Sequence, residues 1–146
     1  MAITQAIANS FKKQLLEADH NFASAGGDTF KIALYTSSAT LNSATTVYAN
    51  TNEVSNTGQY VTGGGVLVNA GTSITAGVAR CDFNDRSFTG VTLTARGALM
   101  YNTSSATPNS AVAVLDFGAD KTATSGTFTI QFPAATSTAA ILRISG

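Results

Sequence analysis

The chain has 146 residues, a length typical of one domain, and 44% of them are hydrophobic, enough to bury a core without disulfide bonds. Only 11% are charged, against about 25% in ordinary globular domains, and eight basic side chains balance eight acidic ones. This balance argues against binding to nucleic acid or to an anionic membrane. It also leaves little charge repulsion between copies, so we expect the protein to pack against neighbours. From its length we expect one domain, residues 1–146.

Residues 1–25 are predicted to form an N-terminal amphipathic helix, roughly Thr4–Asp19. One face carries apolar residues at every third or fourth position: Ile3, Ile7, Phe11, Leu15, Ala18 and Phe22. Gly26 and Gly27 then favour a chain reversal. We expect this helix to lie over one face of a β-sheet formed by residues 29–146, although it could instead reach a neighbouring subunit.

The next stretch pairs a clear strand with a long polar segment. Thr29–Thr36 alternates as a half-buried strand does, and Ser37–Gln59 is rich in Ser, Thr, Asn and Ala. A connection of this length is unusual in a compact domain, so we expect loop 37–59 to carry a short strand and to contact a partner. The predicted partner-binding residues are Val47, Tyr48, Asn52, Glu53, Val54 and Tyr60.

Glycines mark two irregular positions further on. Gly63–Gly65 interrupts strand-like sequence and predicts a bulge or a close approach of two backbones. The alternation in Ser73–Phe83 changes phase near Gly77, where we predict a β-bulge.

The centre of the chain, Val91–Gly118, is predicted to be a buried hairpin with a polar loop at Asn102–Ser110. Thr127–Phe132 and Ala139–Ile144 are the last predicted strands. Strands at this spacing predict a mainly β fold, an antiparallel β-sandwich or jelly-roll-like barrel of about eight strands with one N-terminal helix.

Few residues suggest chemistry. His20, the only histidine, is expected at the surface or as a helix cap, and Cys81, the only cysteine, as a small core residue. Ser10 and Lys13 match S-x-x-K, and Asp116–Gly118 matches the kinase D-F-G, but neither has its companion motifs. We treat both matches as chance.

Two further patterns have ordinary explanations. Asp82, Asn84 and Asp85 could offer oxygen ligands to Ca²⁺, but a hairpin turn uses the same residue types. Asn102 begins a glycosylation sequon, which means little without a secretory signal, and the sequence shows no apolar run long enough for a membrane span. We expect no catalytic residues, no metal and no cofactor, and a protein made in a reducing cytosol.

Three segments together resemble a family of small virion proteins of tailed bacteriophages. They are MAITQAIANSFKKQLLEADHNF with DTFKIALYTSSATL, then TTVYANTNEVSNTGQYVTGGG, and then LTARGALMYNTS with AVAVLDFGADKTATSGTFTIQFP. The resemblance implies a capsid cement or decoration protein on the outer head surface, assembled in the host bacterial cytoplasm. It implies the major capsid protein and other copies of this chain, as a homotrimer, as partners.

Two alternatives stay open. The first is a tail, head-tail adaptor or fibre-associated structural protein. The second is a carbohydrate-binding host-attachment module, for which Tyr35, Tyr48 and Tyr60 are the candidate stacking platforms in a chain without tryptophan. A small hydrolase built around His20 or the Asp82 and Asp85 pair is the enzyme hypothesis, which the thin inventory of reactive groups disfavours.

Overall fold

The hairpin predicted around Val91–Gly118 forms the centre of the larger of two antiparallel sheets. The structure is a computed structural model that describes residues 2–136 and 138–146. Its elements in chain order are β1 (Ala6–Ile7), α1 (Asn9–Leu16), β2 (Phe30–Tyr35), β3 (Gly65–Val66), β4 (Asn69–Thr75), β5 (Val78–Phe83), β6 (Arg86–Asn102), β7 (Ser110–Ile130) and β8 (Leu142–Ile144). The fold is mainly β with one short N-terminal helix, as predicted.

The larger sheet has the order β1-β7-β6-β2-β3, and the smaller one has the order β4-β5-β8. No barrel is closed by the described strands, so of the two predicted architectures the sandwich-like one is found. None of the helical segments within the described ranges has the length and hydrophobicity that crossing a bilayer requires.

The β6–β7 hairpin is buried at one end and exposed at the other. From Gly97 to Asn102 every residue of β6 is buried, and the covering contacts include Tyr48 stacked on Tyr101 and His20 against Asn102. Further from the turn, β6 alternates buried Val91, Leu93 and Ala95 with exposed threonines. The sequence therefore changes from an apolar run to strict alternation at the point where one face of the hairpin meets water.

The predicted helix Thr4–Asp19 was too long, and α1 covers only Asn9–Leu16. Ala6 and Ile7 pair with β7 as strand β1, and the Ala8 N–H donates to the carbonyl of Val112 at 3.0 Å. Pairing with a sheet edge satisfies backbone N–H and C=O groups that would otherwise bond within the first turn of a longer helix. The apolar period alone was therefore misleading here. Phe11 is the buried residue of the helix.

The predicted bulge at Gly77 was also wrong. Ala76 and Gly77 have φ values of 52° and 77° and form the two-residue turn between β4 and β5. Two successive residues with positive φ are the signature of the turn type that matches the twist of a tight hairpin. The change of phase in the sequence is therefore a chain reversal.

An aromatic cluster joins the N-terminal segment to both sheets. Phe22 stacks on Phe30 of the larger sheet with ring centroids 4.5 Å apart, and both meet Phe83 of the smaller sheet edge-on. Phe11 of α1 completes the cluster against Phe22 at 5.9 Å. Burial of these large rings fixes the smaller sheet and the helix to the hairpin.

Candidate partner-binding loop

Loop 37–59 is held by backbone hydrogen bonds, first to the N-terminal segment and then to the larger sheet. It contains no strand among the described residues, in contrast to the short strand predicted there, but isolated bridges join Glu53 to Tyr35 and Val47 to Ser110. The Val54 N–H donates to the Leu34 carbonyl at 2.9 Å. The loop is therefore an ordered surface segment that follows the edges of the sheet.

Glu53 is the centre of the hydrogen bonds that hold this loop. Its Oε1 accepts from the Tyr60 hydroxyl and from the Gly63 N–H, both at 2.7 Å, and its Oε2 accepts from the Tyr48 hydroxyl at 2.6 Å. Bonds of this kind to an ionised acceptor are shorter and stronger than neutral ones. One carboxylate thus ties three separate points of the segment 48–63 together.

All four tyrosines of the chain gather around this carboxylate. Tyr48 stacks on Tyr101 of β6 with centroids 4.7 Å apart, and the Tyr101 hydroxyl donates to the Gly63 carbonyl at 2.5 Å. The Tyr35 hydroxyl donates to the carbonyl of Ala49 at 2.6 Å. We call Glu53 with Tyr35, Tyr48, Tyr60 and Tyr101 the Glu53–tyrosine cluster.

The cluster keeps its hydroxyls protonated. Burial, together with the charge of Glu53, raises the pKa of Tyr101 to about 12 and raises the pKa of Tyr35 and Tyr48 further. Burial also raises the pKa of Tyr60. Its hydroxyl oxygen accepts a hydrogen bond from the Leu34 N–H at 2.8 Å, and its O–H donates to Glu53. Each hydroxyl thus remains a donor, as the cluster requires.

The glycine run closes the cluster from the side of β3. A Cβ on Gly64, whose φ is +80°, would come within 1.8 Å of the Ile32 carbonyl oxygen. Only glycine allows this contact, so the predicted close approach of two backbones is confirmed here. That approach places the Gly63 N–H and carbonyl beside Glu53 and Tyr101.

The six predicted partner-binding residues divide into a surface group and a buried group. Val47 is 42% exposed and Asn52 is also exposed, while Tyr48 and Glu53 are half-buried. Val54 and Tyr60 are 6% and 0% exposed and support the loop from below. The structure brings Tyr48, Glu53 and Tyr60 together, but the sequence gave no sign that Tyr35 and Tyr101 belong to the same cluster.

His20 is buried, so its predicted place at the surface was wrong. Its Nε2 lies 2.9 Å from Gln14 Oε1 and its Nδ1 lies 2.9 Å from Asn102 Nδ2. Because a carbonyl oxygen faces one ring nitrogen and an N–H donor faces the other, this geometry fits a neutral ring protonated at Nε2. Asn102 Nδ2 also donates to Asp28 Oδ2 at 2.8 Å, and we call Gln14, His20, Asp28 and Asn102 the His20 network.

The remaining candidates have structural partners. Asp82 and Asp85 accept backbone N–H bonds from Phe83 and Phe132, both at 2.9 Å, and no group of metal-ligating side chains is found in the part of the chain that the structure describes. Cys81 is buried, which raises the pKa of its thiol to about 12. Asn102 of the sequon is fully buried.

The residues of the two chance motif matches also form local structural contacts. Lys13 pairs with Glu17 one helical turn on, at 2.8 Å, rather than with Ser10. Asp116 accepts from the Gly118 N–H at 2.9 Å and pairs with Arg96 at 3.3 Å, and these contacts hold the pKa of Asp116 below its usual value, the Gly118 bond most of all.

Comparisons with known proteins found no matching family model, no similar curated protein and no similar solved structure.

Proposed function

We propose that this chain is a structural protein of a tailed-phage particle, a capsid cement protein that binds the outer head surface and bridges major capsid subunits. The proposal starts from the sequence resemblance given above. In the structure it is supported chiefly by loop 37–59, which is long and solvent-facing and yet fixed by the Glu53–tyrosine cluster. A loop held in one conformation loses little entropy when it docks, which is what a permanent contact needs.

The outer half of the β6–β7 hairpin offers a second suitable surface. Threonines and serines line its exposed face, and some hydrogen-bond across the strands, Ser87 to Thr129 at 2.8 Å and Thr94 to Thr122 at 2.9 Å. A face of hydroxyl groups can lie against another surface with little desolvation of charged groups. Weak contacts of this kind add up when many copies bind one shell.

The test is binding of the purified protein to heads of its phage assembled without it. We expect co-sedimentation that saturates at hundreds of copies per head, counted by quantitative mass spectrometry. Val47→Asp should weaken binding, because it places a charge on the exposed loop, whereas Val68→Asp, at a more exposed valine outside the loop, should leave binding unchanged. Failure of the wild-type protein to bind, with its fold intact by circular dichroism, would refute the proposal.

The same measurement separates the structural alternatives. A handful of copies per particle would favour the tail, adaptor or fibre-associated role. The carbohydrate-binding alternative loses support because two of its three stacking platforms, Tyr35 and Tyr60, are buried. Specific binding on a glycan array would restore it.

A further inference from the structure

Residues 17–28, which connect α1 to β2, are held in place mainly by side chains, and we call them segment 17–28. No residue of this segment belongs to a strand or a bridge. Within the part of the chain that the structure describes, all its backbone–backbone hydrogen bonds end on residues 13–28. Segments that lie outside a sheet open at a lower free energy than the strands beside them. Opening of segment 17–28 therefore requires the loss of its side-chain contacts only.

Three side chains of the segment reach the end of β6 and the loop that follows it. Asp19 Oδ1 accepts from the Ala106 N–H at 2.7 Å, and Asp28 Oδ2 accepts from Asn102 Nδ2 at 2.8 Å. His20 lies 2.9 Å from the same Asn102 Nδ2 through its Nδ1, and only 7% of its surface is exposed. The imidazole is thus enclosed where the segment meets the β6–β7 loop.

The segment also has contacts with both sheets. Phe22 stacks on Phe30 of β2, and Asn69 Nδ2 of β4 donates to the carbonyls of Ala23 and Asp28 at 3.2 and 3.0 Å. A phenyl ring and an amide do not titrate, whereas the ordinary pKa of histidine, 6.5, lies close to neutrality. The imidazole is therefore the contact that mild acid can change.

The Asn102 amide is fixed in an orientation that suits only an unprotonated Nδ1. Its Oδ1 accepts from the Ser104 N–H at 2.7 Å, and its Nδ2 donates to the Asp28 carboxylate. Exchanging the oxygen and the nitrogen would break both bonds and would set an oxygen against a carboxylate. Since Asn102 Nδ2 also faces the ring of His20, Nδ1 must accept.

The other ring nitrogen is fixed as a donor. Its acceptor is Gln14 Oε1 at 2.9 Å, while Gln14 Nε2 donates to Ser110 Oγ at 3.5 Å. The Ser110 hydroxyl donates to the Thr107 carbonyl, so its oxygen can only accept from Gln14. A second proton on the ring would have to go to Nδ1, where it would oppose an N–H donor in a buried site.

Two carboxylates, Asp19 and Asp28, are the charged groups that act on His20, and both favour a protonated ring. Burial outweighs them and lowers the pKa of His20. The elements packed against the ring contribute neutral groups: Phe11 and Gln14 of α1, Phe30 of β2 and Asn102 of β6. Residues 103–110 carry no charge.

We propose that His20 is an acid-sensitive latch: protonation of its Nδ1 sets it against the Asn102 amide and releases segment 17–28 from the β6–β7 loop. Release also separates Phe22 from Phe30 and uncovers the aromatic cluster. For a ring that takes up its proton only after opening, the gain in the opening constant at pH 5 has an upper limit of about thirtyfold. The inference does not rest on the proposed shell function.

The test is amide hydrogen exchange of the ¹⁵N-labelled full chain at pH 7 and pH 5, expressed as protection factors to correct for intrinsic exchange. The Asn21 N–H, bonded to Asp28 Oδ2 at 2.9 Å, and the Ala106 N–H report on the latch. We expect their protection to fall at least about threefold at pH 5. Low urea should leave their exchange nearly unchanged, because a local opening exposes little surface, but should accelerate exchange at residues 98–101 of β6.

Two variants identify the titrating group. His20→Gln should show equal protection of the Asn21 and Ala106 amides at both pH values, because glutamine takes up no proton. Glu17→Gln, at an exposed carboxylate in the same segment, should keep the pH response of the wild type. A long-range ¹H–¹⁵N spectrum of the single imidazole in the wild type should show the Nε2–H tautomer at pH 7, whatever the stability of the variants.

Four results would overturn the inference. The first is a ring that carries a proton on Nδ1 at pH 7, and the second is equal protection of the wild-type amides at pH 7 and pH 5. The third is an undiminished pH response in His20→Gln. The fourth is the same urea dependence at Asn21 as at residues 98–101, which would assign the pH effect to global unfolding.

Discussion

Two irregular segments of this protein are each held by a polar network, and the networks differ in kind. The Glu53–tyrosine cluster is built on a carboxylate that accepts three hydrogen bonds at the edge of the larger sheet. The His20 network is built on an imidazole buried among phenylalanines, whose geometry fits the neutral form. The comparison shows that a protein with few charges can order long segments by either route, provided that each polar atom finds a partner.

The largest effect should come from removing the carboxylate of the first network. Glu53→Ala leaves two tyrosine hydroxyls and the Gly63 N–H without their acceptor, and we expect it to lower the free energy of unfolding by about 3 kcal/mol. Urea denaturation measures this loss. Glu53→Gln is the matched control and should cost less, since it keeps one acceptor oxygen. Equal stability of Glu53→Ala and the wild type would show that the cluster does not hold the loop.

Removal of the imidazole should have the next largest effect. His20→Ala opens a cavity beside Phe11 and Phe30 and removes one hydrogen-bond partner from Gln14 and one from Asn102, for an expected loss of about 2 kcal/mol in the same denaturation experiment. Ala106→Ser, at an exposed position of the nearby loop, serves as a control with no expected change. A loss larger than that of Glu53→Ala would reverse the ranking of the two networks.

A single hydroxyl of the first network should matter less. Tyr48→Phe removes one bond to Glu53 but keeps the stack on Tyr101, so we expect a loss of about 1 kcal/mol. Combining it with Glu53→Ala in a double-mutant cycle should show that the two losses are not additive, because both changes break the same bond. Additive losses would mean that the Tyr48 hydroxyl contributes to stability independently of Glu53.

The smallest expected effect is the pH dependence of stability that His20 contributes to the second network. Burial lowers the pKa of His20 below 6.5, and attraction to Asp19 and Asp28 opposes that change without reversing it. The unfolded chain therefore binds the proton first, so this contribution to stability is complete above about pH 6.5 and is lost as the pH falls toward the folded-state pKa. Between pH 7 and pH 5 the melting temperature of His20→Gln should fall less than that of the wild type. Parallel curves would contradict this assignment.

Local sequence patterns predicted the strands of the sheet better than they predicted the contacts between segments distant in sequence. The hairpin with its loop at Asn102–Ser110 was recognisable because its turn residues and apolar runs are contiguous in sequence. The helix was overextended because Ile3 and Ile7 fit a helical period, yet Ile3 bridges to Leu41 and Ile7 pairs with Ala113. The partner that decides the outcome is distant in sequence in both cases.

The candidate site was predictable only in part for the same reason. The length and composition of loop 37–59 marked it as unusual, and three of the six predicted partner-binding residues, Tyr48, Glu53 and Tyr60, do meet. Tyr101 joins them from β6 only because the sheet brings it beside Gly63. No sequence period or motif predicts a contact between residues so far apart in the chain. The burial of His20, among aromatic rings from both sheets, was missed for the same reason.

The hairpin also contains a local excursion opposite Arg96. Ala95 pairs with Lys121 and Gly97 with Asp116, so residues 117–120 of β7 face a single residue of β6. Gly118, Ala119 and Asp120 project into solvent, and a side chain at Gly118 would meet no atom within 4 Å. Because this stretch already stands outside the ladder, a foreign epitope could be spliced in there while the flanking pairs keep their partners. If the chain binds a phage head in many copies, as proposed, the particle would display that epitope as a dense array.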